Sequence, residues 1–105
     1  MKSYAVDRDK WQKLSLFEQM GNIGSEVGRT YSAASRGDQA ASKAAMTRAL
    51  DLFDATTSNN ELSPARRKEI LRAKEEYLRA FFDNTDRPGI ENYFMQFAIA
   101  ARLHR

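Results

Sequence analysis

The chain has 105 residues, 42% hydrophobic and 30% charged, with a net charge of +3 and no cysteine. A chain of this length forms one domain and buries about 60% or a little more of its unfolded surface, enough for a single core. Disulfides and cysteine-based metal or redox sites are excluded, there is no run of about 20 apolar residues to span a membrane, and so mild a positive charge does not by itself imply nucleic acid.

The N-terminal residues lack the apolar core of a signal peptide, so a cytoplasmic location is expected by default. Residues 1–14 read as an arm, polar apart from Tyr4, Val6, Trp11 and Leu14. Trp11 is the only tryptophan, and an arm that keeps one is expected to dock it.

The first long helix is predicted to begin at Ser15, where Ser15-Leu16-Phe17-Glu18 has the spacing of a capping box; a start near Asp9 is the alternative. It ends at Arg36-Gly37, with glycine at the left-handed position past the last turn. Inside it lie Gly21, Gly24 and Gly28. Each costs roughly 1 kcal/mol relative to alanine in a helix, so packing must offset them. At about 100° per residue they share one narrow sector. Beside it runs an apolar stripe of Leu16, Met20, Ile23, Val27, Tyr31 and Ala34, and opposite lies a polar face of Glu18, Asn22, Ser25 and Arg29. Close packing against the alanine-rich second helix (Ala41, Ala44, Ala45, Ala49) is the expected use of these glycines. A ligand or peptide against the bared backbone is the alternative. The spacing is neither a phosphate loop nor a dinucleotide fingerprint, because no strand precedes it and it sits inside a helix.

Asp38 is expected to cap the second helix, whose apolar face is Ala41, Ala45, Met46, Ala49, Leu50, Leu52 and Phe53, and which closes at the polar run 56–60. Ser63-Pro64 opens the third, a cap followed by proline in the first turn. Its stripe is Ile70, Leu71, Tyr77, Leu78 and Phe81, running to about Asp83, with Lys74 in the middle of it. Residues 84–89 form a turn. The last helix starts near Arg87–Ile90 and continues to about Leu103. No segment alternates as a strand would. The spacing from Gly37 to Ala49-Leu50 hints at half of a tetratricopeptide hairpin, but the later helices do not repeat it. The expected fold is all-α, an antiparallel four-helix bundle over residues 15–105 with an N-terminal arm over 1–14.

Ser15 to Arg29, Arg48-Ala49-Leu50-Asp51-Leu52 and Tyr93-Phe94-Met95-Gln96-Phe97-Ala98 together resemble short, all-helical bacterial proteins of no established function. The resemblance spans most of the chain, from about Trp11 to Arg102. It implies a small helical domain and carries no catalytic residues across.

The residues point to docking more than to chemistry. In the last helix Ile90, Tyr93, Phe94, Phe97 and Ala101 form one apolar stripe, while Met95, Ile99 and Leu103 form a second on nearly the opposite side. A bundle helix needs one buried face; the second calls for cover by the arm, a second copy of the chain or another partner. Met95, Ile99, Leu103 and Trp11 are therefore the candidate interface residues, and a homodimer or another protein the expected partner. Arg66, Arg67 and Lys68 oppose the dipole of their own helix. With Arg102 and Arg105 they are candidate phosphate contacts, which makes a small basic factor touching RNA or DNA the second reading. Lys74 is expected to lay its stem on the core and reach an acid with its amine. Catalysis has little support. His104 is the only histidine, no Glu-x-x-His pattern of di-metal bundles occurs, and no serine sits in a nucleophile elbow. No enzyme activity, cofactor or metal is expected.

Overall fold

The computed structural model describes residues 6–103. All regular structure among them is α-helical: α1 (Arg8–Gln12), α2 (Leu16–Ser35), α3 (Gln39–Thr57), α4 (Pro64–Asp83) and α5 (Arg87–Leu103). Most of the long-helix boundaries have a local chemical cause. The Ser15 hydroxyl accepts the Glu18 amide at 3.1 Å and the Glu18 carboxylate accepts the Ser15 amide at 2.9 Å, a complete capping box. Gly37, at φ +74°, ends α2. There the amide of Asp38 donates to the Ala33 carbonyl and that of Gly37 to the Ala34 carbonyl, satisfying carbonyls the helix leaves open. Asp38 then caps α3 through the Ala41 amide, and Ser63 caps α4 through Arg66. Asn84 ends α4 in the left-handed conformation, at φ 57°.

The predicted arm contains a helix of its own. α1 is capped by Asp7 and presses Trp11, 6% exposed, into the core. The Trp11 indole N–H donates to Thr56 Oγ1 at 2.9 Å. The buried Gln19 side chain donates to the Trp11 carbonyl at 2.8 Å.

The core is built from Met20, Ile23, Val27 and Tyr31 of α2, Ala49 and Phe53 of α3, Ile70 and Tyr77 of α4, and Phe94 and Phe97 of α5. Phe53 sits between Tyr77 (centroids 6.3 Å apart) and Phe94 (5.9 Å, edge-on). Close backbone approach is concentrated between α2 and its neighbours α3 and α5, where small residues allow it.

Two sequence expectations change here. The glycine sector of α2 packs on α5, not on the alanines of α3. A Cβ added to Gly21 would lie 3.3 Å from Ala98 Cα, and one on Gly24 would lie 2.7 Å from Phe94 Cβ. Ala45 and Ala49 are buried as expected, but neither is among the atoms nearest a Cβ added to the glycines. Second, the buried stripe of α4 is Ile70, Ala73, Tyr77 and Ala80. Alanines, which the larger apolar residues overshadow in the sequence, centre it. Leu71 is consequently 39% exposed and Lys74 lies half-buried at the edge.

One polar network crosses this core. Tyr77 donates to Thr30 Oγ1 at 2.8 Å, Thr30 donates onward to the Glu26 carbonyl, and Ser42 donates to the Thr30 carbonyl. Burial pushes the Tyr77 phenol up to about 12, so it stays a donor across the neutral range.

Candidate functional site

The last helix is positioned by its first turn. Asp86 adopts φ 48° and lays its carboxylate over the backbone of Gly89, where a Cβ would stand 2.5 Å from it and displace the carboxylate. Arg87 then ties α5 to the end of α2. It donates to Glu91 at 2.7 Å and to Ser35 Oγ at 3.0 Å, with its guanidinium 5.3 Å from the centroid of the Tyr31 ring. Burial, then the Glu91 charge, raise the Tyr31 phenol above its ordinary value.

From that anchor α5 turns Phe94 and Phe97 inward. On the outside Met95 is 54% exposed, Ile99 45% and Leu103 76%. The structure thus brings three of the four predicted interface residues into one open row. The fourth, Trp11, is no interface anchor: it is enclosed by its own chain. The described part of the arm is committed to α3 instead. Arg8 pairs with Asp54 at 2.8 Å and Asp51 at 3.7 Å, and the Val6 amide donates to Asp51 at 2.6 Å. Asp51 and Asp54 of α3 are the dock for α1. Their spacing of three along a helix was the available signal, and it lacked a partner until the arm folded back.

Beside the open row lies the glycine edge of α2. A shallow groove of about 230 Å3 runs between them, walled by Gly24, Ser25, Gly28, Glu91 and Met95. Gly28 differs from the other two glycines, because an added Cβ would meet only Glu91 Oε2, at 3.7 Å.

The predicted basic residues have unlike surroundings. Arg66 pairs with Glu69 at 2.9 Å. Arg67 donates to the Thr57 and Asn59 carbonyls, both at 2.8 Å. Lys68 and Arg102 are exposed, and Arg105 lies outside the described residues, as does His104. Arg67 has a use for its position at the start of α4: unfavourable for its own helix, its charge reaches the Thr57 carbonyl at the end of α3 and the Asn59 carbonyl just beyond it.

A second groove, of about 300 Å3, separates α4 from α5 beside Glu69, Glu76, Ile90 and Tyr93. Tyr93 donates to Glu69 at 2.9 Å. Burial first, then its bond to Glu69, push the phenol far above its ordinary value. Glu69 is thus bonded to both Tyr93 and Arg66. No group of three His, Asp or Glu side chains that could hold a metal ion exists among the described residues, and no helix among them is long and apolar enough to cross a membrane. The chain matches no protein-family model, no curated protein and no solved structure.

Proposed function

We propose that the chain is a non-enzymatic protein–protein interaction module that self-associates through α5. The observation that carries this reading is the row Met95, Ile99 and Leu103, open to solvent on a helix whose opposite face is already buried. Exposed apolar side chains are ordinary when scattered. Three in register on one helix face form a continuous strip, of the kind that marks association sites.

The finer architecture belongs to the same proposal: α2 to α5 form an antiparallel four-helix bundle. Its support is register. Partners descend along α5 from Ala98 to Phe94 to Glu91 as they ascend along α2 from Gly21 to Gly24 to Gly28. Kinship with short helical bacterial proteins is retained as part of this proposal. The nucleic-acid reading is not favoured, because Arg66 and Arg67 are engaged within the chain.

The test is sedimentation equilibrium or light scattering from low to high micromolar concentration. The expected result is a reversible dimer that Ile99→Asp abolishes while helical content is kept. A strict monomer at the highest concentration removes the self-association reading.

A further inference from the structure

We propose that the glycine edge of α2 and the outer row of α5 form one self-complementary surface, occupied by a second copy of this chain whose α5 runs antiparallel to the first. This rests on the self-association reading and adds to it the register and a role for Gly28.

Gly28 is the first observation. The chain's own packing accounts for Gly21 and Gly24, against Ala98 and Phe94, but not for Gly28, where a Cβ would make only an ordinary contact. A glycine inside a helix is unfavourable relative to alanine, and here no packing within the chain requires it. Its bare backbone opens onto the groove beside Met95, where an incoming helix gains close approach.

Charge order is the second. Glu91, Met95, Ile99 and Arg102 follow one another along a single face of α5 at spacings of four, four and three residues. The face therefore runs from acid through apolar residues to base. A parallel copy would set Glu91 against Glu91 and Arg102 against Arg102. An antiparallel copy, related by a two-fold axis near the middle of the row, sets Arg102 of each chain by Glu91 of the other and Met95 by Ile99. The helix dipoles then also oppose. Glu91 is set for this role, since Arg87 holds its Oε1 at 2.7 Å while its Oε2 lies on the Gly28 side. Arg102 is exposed and makes no ion pair among the described residues.

Area is the third. A stable interface takes about 800 Å2 from each partner, more than three side chains supply. A face two helices wide, with the glycine edge and the exposed Ser25 of α2 included, fits that need better than α5 alone.

The experiment measures dimer dissociation by sedimentation equilibrium for the wild-type chain, Glu91→Arg, Arg102→Glu, the double exchange and Gly28→Leu, with circular dichroism as the check on folding. Each single reversal is expected to weaken the dimer about tenfold, since it places like charges opposite one another twice per dimer. The double exchange restores it. Glu91→Arg also loses the pair with Arg87, but so does the double exchange, so recovery there reports the contact between chains. Gly28→Leu gives a folded monomer. A dimer that ignores the single reversals and Gly28→Leu, yet is lost in Ile99→Asp, overturns this register and leaves self-association through α5 standing. A wild-type chain that stays monomeric overturns both.

Discussion

A Cβ on Gly24 would stand 2.7 Å from the Cβ of Phe94, closer than two such atoms approach in folded proteins, whereas the same atom on Gly28 would meet nothing nearer than 3.7 Å. Two glycines one turn apart on the same helix thus have opposite packing demands. Gly24→Ala is expected to destabilise the chain by about 1–2 kcal/mol, because overpacking against α5 outweighs the gain in helix propensity. Gly28→Ala is expected to stabilise the monomer by up to about 1 kcal/mol. Urea unfolding at low protein concentration measures both; equal signs would contradict the packing described.

The arm is held by Trp11, and its indole has one polar partner, Thr56. Thr56→Val keeps the shape but leaves a buried N–H unpaired, a loss of about 1–3 kcal/mol. Because the protein has no other tryptophan, the emission spectrum reports the site alone. A red shift is expected if α1 undocks. Asp54→Ala, which removes an exposed pair, is expected to change stability by less than about 1 kcal/mol.

Tyr77 provides a pH signature. Its folded-state pKa is raised to about 12 from 10.0, chiefly by burial, so the unfolded chain loses this proton first as pH rises. Stability from this group is complete below pH 10 and declines as pH rises from 10 towards 12, by roughly 1.4 kcal/mol for each pH unit in that window. Tyr77→Phe is expected to cost about 1 kcal/mol at pH 7 through the lost bond to Thr30. It should also flatten the alkaline fall. Denaturant midpoints at pH 8, 10 and 11 for the two proteins test this; parallel curves would contradict it.

Arg67 and Lys68 are neighbours with unlike roles. Arg67→Ala removes the side-chain donor of the Thr57 carbonyl and leaves the Asn59 carbonyl with the Leu62 amide alone, and is expected to cost about 1–2 kcal/mol. Lys68→Ala should fall within about 0.5 kcal/mol of wild type. Fluorescence anisotropy with labelled oligonucleotides at low salt is expected to show no binding. Micromolar binding that falls steeply with salt would restore the basic-patch reading.

The sequence by itself determined the four long helices and most of their ends, though not the short α1. The Ser15 box, the left-handed Gly37, the Asp38 cap and Ser63-Pro64 act through bonds to backbone a few residues away, so their effect is visible in local order. It also determined that α5 has two apolar sides, because helical period alone assigns faces. Only the tertiary structure decided which helix the glycines meet, that Ala73 and Ala80 centre the buried face of α4, that Asp51 and Asp54 receive the arm, and that Arg67 serves the end of α3. Each of these is a pairing between segments distant in sequence. Small side chains and charges carry little pattern of their own. What they do is set by whichever surface the folded chain brings against them.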